Sequence, residues 1–181
     1  MSNADRIRAV TLQDAAAIAR IYNHYIVNTT VSFEEDAVAV AERRERIAEA
    51  AAQNLPFLVA EREGAVVGYA NATKWKGRCA YRYSVETGIY LAPDGIGQGI
   101  GTPLYQTLLA ALRERGVHAM IAGIALPNPA SIALHEKCGF VKIGQFREVG
   151  FKFGRWIDVG YWELVCDPDC PLPEGAGEGL R

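Results

Sequence analysis

Cysteine is scarce: Cys79, Cys138, Cys166 and Cys170 contain no C-x-x-C motif and lack the density of a disulfide-stapled secreted scaffold. Free thiols in a reducing cytosol are therefore expected. Cys166 and Cys170 form a C-x-x-x-C pair, but no histidine lies near enough in sequence to complete a zinc site, and no metal is expected. No hydrophobic run approaches the length of a membrane span. Met1 to Val10 shows no basic region followed by an apolar run, the pattern of a signal peptide. Basic runs and interleaved aromatic and basic residues are also missing, which argues against a nucleic-acid surface. With 19 Lys and Arg against 21 Asp and Glu, the net charge is only −2, and half the residues are hydrophobic. That profile suits one ordinary globular domain of 181 residues, long enough to bury a full core.

Patterning supplies the elements. Thr11 and Asp14 form a T-x-x-D capping box ahead of Ile18, Ile21, Tyr22 and Tyr25, which share a helical face. A second box, Ser32 to Glu35, precedes an Ala, Glu and Arg-rich stretch that predicts a helix through Ala52. Phe57 to Glu61 and Val66 to Trp75 read as a hairpin around Glu63-Gly64, and Tyr81 to Leu91 as the next strand. Leu104, Leu108 and Leu112 mark a helix over Ile100 to Arg115, ended by Gly116. His118 to Ala125 is strand-like, and Asn128-Pro129 opens a helix that stops at Gly139. Two aromatic-rich strands follow, Val141 to Phe153 and Ile157 to Val165. The domain is expected to span 1–166, with 167–181, rich in Pro, Gly and acid, a flexible tail.

Strand, two helices, three strands, helix, strand, helix, two strands is an α+β order. It predicts a mixed, mostly antiparallel sheet with flanking helices, whose one parallel pair is the unit Tyr81 to Ala125. A crevice at the carboxyl ends of such a pair is where ligands bind.

Between that strand and its helix lies Gly95-Ile96-Gly97-Gln98-Gly99-Ile100-Gly101. Glycines there let backbone approach a ligand, and free N–H groups beside a helix N-terminus favour phosphate. A plain flexible turn is the alternative. Thr102 stands where a Rossmann fingerprint needs its third glycine, and the Gly-Lys pair of a P-loop is absent.

Tyr90-Leu-Ala-Pro, the x-x-x-G-x-G at Ile96 to Gly101, Leu104-Tyr105, Asn128-x-x-Ser131 and Glu136-Lys137-Cys138-Gly139-Phe140 resemble the GCN5-related N-acetyltransferases. Tyr22-Asn23, Phe33-Glu34, Tyr81-Arg82 with Val85-Glu86, Leu134-His135-Glu136 and Gly150-Phe-Lys-Phe-Gly-Arg-Trp-x-Asp158 narrow the resemblance to the phosphinothricin and methionine sulfoximine N-acetyltransferases. It implies acetyl-CoA as cosubstrate, held at Gly97, Gln98, Gly99, Ile100, Gly101 and Thr102, along Ile89, Tyr90 and Leu91, and at Asn128 and Ser131. Ile96 departs from the pattern, which usually has Arg or Gln there. Weaker cofactor affinity is the expected consequence, with Gln98 placed to compensate.

Amide formation from a thioester needs a neutral amine, and α-amino groups are mostly protonated at neutral pH. A base is required. Alternation puts Arg82, Ser84 and Glu86 on one strand face, and Glu86 in a partly dry crevice would have a raised pKa and accept the proton. The resemblance implies the same role; a glutamate solvated at a sheet face is the bland reading. Gly88, just before the strand end, is placed for a bulge. Asn128, Ser131 and His135 share one helical stripe. Asn128 before proline is equally a good N-cap. The resemblance places His135 where relatives carry the acid that reprotonates the leaving thiolate, a role histidine can fill; a buried histidine bonded to a carbonyl is the alternative. For the amine substrate the resemblance points to Phe33, to Lys76-Gly77-Arg78 and to Glu86-Thr87-Gly88. Lys76 and Arg78 suit an acidic group on an amino acid, or are simply a solvated turn.

The resulting expectation is acetyl transfer to the α-amino group of a small amino acid or analogue by a cytoplasmic homodimer. A non-catalytic acyl-CoA sensor and a protein or peptide N-acetyltransferase are the alternatives.

Overall fold

The structure is a computed structural model and describes residues 6–166. The expected tail and Cys170 lie outside the described residues. Strand β1 (Arg6–Ala9) leads through a short 3-10 turn into α1 (Ala15–Asn28), followed by α2 (Val40–Ala52), β2 (Phe57–Arg62), β3 (Ala65–Lys74) and β4 (Ser84–Leu91). Then come α3 (Gly101–Glu114), β5 (Ala119–Ala125), α4 (Pro129–Lys137), β6 (Val141–Lys152) and β7 (Arg155–Val165). The strands form one sheet in the order β1-β2-β3-β4-β5-β7-β6. Every neighbouring pair is antiparallel except β4 and β5, as the order of elements predicted.

Each face of the sheet carries its own core. On one side Leu104, Tyr105, Leu108 and Leu112 of α3, all fully buried, pack on Val85, Met120 and Trp162. Each such side chain contributes roughly 1.5–3 kcal/mol by leaving water. On the other side Ile18, Ile21 and Ile26 of α1 and Ile47 of α2 pack on Val59 and Tyr69. The Thr11 box starts α1 as expected: the Thr11 amide donates to Asp14 Oδ2 at 2.7 Å. Asp14 in turn pairs with both terminal nitrogens of Arg8 at 2.8 Å.

The box at Ser32 does not start α2, which begins only at Val40. The Ser32 hydroxyl is spent elsewhere, donating to Tyr22 Oη at 2.9 Å and accepting the Glu34 amide at 3.2 Å. Asn23 then clasps the backbone of Val38 through both side-chain atoms, at 2.9 and 3.0 Å. The chain is thereby tied to α1 as a loop before the helix can begin. The strand predicted from Tyr81 likewise starts later, at Ser84, because Cys79–Tyr81 form a 3-10 turn.

Candidate functional site

The parallel pair is short. Ser84, Val85 and Glu86 lie opposite Ala119, Met120 and Ile121, and the pairing stops there. Beyond Glu86, β4 keeps only β3 as a neighbour while β5 continues along β7. The sheet therefore opens at Glu86. Backbone alternation settles what the opening presents. Bonds from Trp75 N–H to Ser84 O and from Ala92 N–H to Val67 O bracket the β3–β4 ladder, so residues 84, 86, 88 and 90 turn their amides and carbonyls toward β3. Ile89 and Leu91 turn theirs to the gap. The Leu91 carbonyl accepts the Tyr25 hydroxyl at 2.7 Å. Of the three strand-end residues expected to meet the cofactor, Ile89 thus offers both backbone groups, Leu91 its amide, and Tyr90 neither. The ladder runs without a register shift through Gly88, opposite Asn71. No bulge forms there; the missing side chain instead leaves open the wall of a cavity.

That cavity, about 580 Å³, reaches from Glu86, Gly88 and Gly123 past Asn128, Ser131 and His135 to Tyr22, Arg43 and Tyr69. The Glu86 side chain shares a face with Gly88 and Tyr90, and Val85 and Thr87 face α3. Burial pushes the Glu86 carboxyl above its ordinary value, and the Lys76 ammonium pulls it partly back. Glu86 is half-buried, and among the described residues nothing donates a hydrogen bond to it, which leaves the carboxylate free to take a proton. Oε1 lies against Gly123, where a Cβ would come within 3.3 Å.

The glycine turn joins β4 to α3, and within it the Gln98 amide donates to the Gly95 carbonyl at 3.4 Å. Gly97 and Gly99 hold φ of +77° and +80°, a region that disfavours side chains, and a Cβ on either would meet nothing within 4 Å. Ile100 is buried, and its part in any contact is its backbone. Helix α3 starts at Gly101 without a side-chain cap, leaving its first amides to an anion. Ile96 is 54% exposed.

On α4, Asn128 is an N-cap, its side chain accepting the Ser131 amide at 3.1 Å. Asn128 also lines the cavity. His135 is 3% exposed, edge-on to Tyr105 and Phe140. Nδ1 sits 2.7 Å from the Ser131 carbonyl and donates to it, which leaves Nε2 a bare acceptor with no partner among the described residues. Burial also pushes its pKa down. Both favour a neutral ring with Nε2 as acceptor, whereas protonating a thiolate needs an acid.

The expected substrate residues divide. Glu86 and Gly88 line the cavity with side-chain face and backbone. Thr87 contributes backbone alone, since its hydroxyl is 2.7 Å from Tyr105 Oη and donates to the Ile121 carbonyl at 3.2 Å on the α3 side. Phe33, Lys76, Gly77 and Arg78 do not line it. Lys76 rests over the Trp75 ring, 4.5 Å from the centroid, yet reaches Glu86 electrostatically. Phe33 lies on Gly150 of β6, and buried Lys152 donates to the Ser32 carbonyl at 2.6 Å, so the most specific motif pins the Phe33 loop beside the site.

Sequence reading missed Arg43, Tyr69 and Gly123. Gly123 carried a signal, a lone glycine inside a strand, which marks a close approach. Arg43 carried none, being one of several basic residues on a polar helix. Among the described residues no group of three or more His, Cys, Asp or Glu is arranged to hold a metal.

The acetyltransferase (GNAT) domain family matches residues 7–160. Phosphinothricin N-acetyltransferase of Alcaligenes faecalis is 46% identical, over 93% of this chain and 86% of its own. YncA of Salmonella typhimurium, solved with its cofactor acetyl-CoA, superposes with a TM-score of 0.89 at 37% identity, over 92% of this chain and 96% of that one. A ribosomal-protein-alanine N-acetyltransferase of Brucella melitensis gives 0.87 at 40%, over 89% and 99%.

Proposed function

The chain belongs to the acetyltransferase (GNAT) family and is an acetyl-CoA-dependent acetyltransferase, and on that premise we propose that its acceptor is the α-amino group of a small amino acid or analogue. The observation that carries this reading is the half-buried Glu86, its pKa raised by burial, at the point where β4 and β5 part. A thioester laid along Ile89 and Leu91 would bring its carbonyl to the opening. The amine, after losing a proton to Glu86 directly or through water, attacks that carbonyl; the C–N bond forms, the C–S bond breaks, and the departing CoA thiolate takes up the second proton, which the nitrogen sheds as it becomes an amide. Backbone amides of the turn from Gly97 to Thr102 would hold the pyrophosphate, and Asn128 and Ser131 the pantetheine arm. The Ile89 amide is positioned to polarise the thioester. His135, a neutral acceptor, is assigned to positioning rather than proton donation.

The phosphinothricin N-acetyltransferase of Alcaligenes faecalis supports a small, amino-acid-like acceptor. The Brucella melitensis relative raises a second reading, an N-terminal amine of a protein. Release of CoA thiol with phosphinothricin, methionine sulfoximine, methionine sulfone and alanine-ended peptides separates them. Turnover confined to the peptides would overturn the proposal, and acetyl-CoA binding without turnover of any amine would make the chain a sensor.

A cytoplasmic homodimer completes the proposal. Strand β6 is exposed along most of its length, with Phe146 and Phe151 over half exposed and Trp156 of β7 at 62%. Apolar side chains so grouped on an edge hairpin favour burial against a second copy. The mass in solution tests it.

A further inference from the structure

Strand β5 lies between β4 and β7 in the sheet, and Glu86 and Tyr161 flank its Gly123 from those two neighbours. Gly123 pairs directly with Tyr161. From the point where a Gly123 Cβ would stand, Glu86 Oε1 is 3.3 Å away, and Cε1 and Cζ of Tyr161 are 3.3 and 3.7 Å away. The ring edge that carries the hydroxyl therefore borders the same small space as the carboxylate. Gly123 is exposed and lines the cavity that holds Glu86, so water has access to that space, and one molecule there is within reach of both groups. Packing accounts for the Tyr161 ring: Trp75 meets it edge-on with centroids 5.9 Å apart, and Phe146 does so at 5.5 Å. It does not account for the hydroxyl, which among the described residues has no hydrogen-bond partner. Burial, and after it the Glu86 charge, raise the Tyr161 pKa. The hydroxyl thus keeps its proton at neutral pH and is a donor.

The other titratable groups around Glu86 are placed differently. Lys76, after β3, acts on the carboxylate through its charge and rests over Trp75. Tyr90, on β4, feels the Glu86 charge but is enclosed by the rings of Tyr22, Tyr25 and Tyr69. Lys74 of β3 and His135 of α4 line the same cavity, His135 with Nε2 as an acceptor. β5 presents Ile121 and Gly123, which do not titrate. An acceptor amine arrives as an ammonium and sheds two protons on the way to an amide, the first to the base. A water over Gly123 has the valences for that first transfer: it donates one O–H to Glu86 and accepts from the ammonium and from the Tyr161 hydroxyl. As an N–H bond breaks and its proton joins the water, the water's own proton passes to the Glu86 carboxylate. Tyr161 keeps its proton throughout.

We propose that Tyr161 is a positioning residue for the base, its hydroxyl holding over Gly123 the water through which the acceptor's proton reaches Glu86. This rests on the acetyl-transfer reading and adds to it the group that places the water. Tyr161→Phe keeps the ring and removes only the donor, so Tm and the acetyl-CoA Kd should match wild type. With whichever of phosphinothricin, methionine sulfoximine and methionine sulfone wild type turns over fastest, kcat should fall by roughly 10-fold with KM little changed. The acid limb of kcat/KM should move to higher pH, because the ionised carboxylate loses a donor that favoured it. In the Glu86→Gln background the same substitution should cost nothing further, since no base is left to serve. An acid limb that stays put would overturn the proposal, and so would equal losses in the two backgrounds. Loss of a limb at high pH instead would make Tyr161 the proton donor to the thiolate, which also overturns it. Should no amine be turned over, the acetyl-transfer reading fails by itself. Titration of the Glu86 carboxyl by carbon NMR in wild type and Tyr161→Phe then decides: a pKa higher in the variant upholds the water bridge, and an equal one overturns it.

Discussion

Glu86 Oε1 lies over the backbone of Gly123 on the neighbouring strand, so close that a Cβ there would approach to 3.3 Å, with Cε1 of Tyr161 equally near on the other side. The glycine makes room for the carboxylate where the parallel pair ends. Gly123→Ala requires both neighbours to yield by a few tenths of an ångström. Displacement of a base on that scale is expected to cost about 10-fold in kcat/KM, with acetyl-CoA affinity retained. An unchanged rate would show that Glu86 does not act from this position.

The raised pKa of Glu86 gives a pH signature. The carboxylate must be ionised to accept a proton, so kcat/KM falls as pH drops through its folded value, above the ordinary carboxylate range. Glu86→Gln should abolish that acid limb and lower kcat by roughly 10²- to 10⁴-fold. Lys76 pulls the pKa down, so Lys76→Ala should move the limb to higher pH. A limb that stays put would remove Lys76 from the electrostatics of the site.

How far the sequence disclosed these features depends on the range of the interaction. The leucine repeat at Leu104, Leu108 and Leu112 reports a local period and became a buried helical face. The glycine turn was legible because its geometry is set by its own residues. Ser32 and Glu35 have the form of a capping box, but bonds to Tyr22 and from Asn23 to Val38, remote in sequence, override it. Tyr22-Asn23 and Phe33-Glu34, visible only as motif fragments, proved to be the two sides of that clasp. Glu86 was legible as a candidate from strand alternation, whereas its freedom from partners depends on where β5 turns away. Arg43 is one of several charged residues on α2 until the fold buries it and leaves Arg46 the available carboxylates.

Ile96 makes a separate prediction. Its exposed side chain stands in the turn, at the position where the resemblance leads to an expected Arg or Gln. Ile96→Arg should tighten acetyl-CoA binding by about 3- to 10-fold, in line with about 1 kcal/mol for an exposed charge pair. The gain should shrink as salt rises. Binding no tighter at low salt would place the pyrophosphate away from residue 96.

Phe33 and Gly150 are coupled across 117 residues of sequence. The Phe33 ring occupies the space a Gly150 side chain would need, and the Lys152 bond to the Ser32 carbonyl fixes the loop to the same strand. Gly150→Ala must push the ring away, an overpacking change expected to cost about 1–3 kcal/mol of stability. It should also raise the KM for the amine. Phe33→Ala removes the ring and should cost substrate affinity with little loss of stability. In the double variant the new methyl has nothing to strike, so the stability loss of Gly150→Ala should largely disappear, a coupling of at least about 0.5 kcal/mol in the cycle. Additive losses would mean that the two residues do not meet, and the loop's place beside the cavity would then need another support.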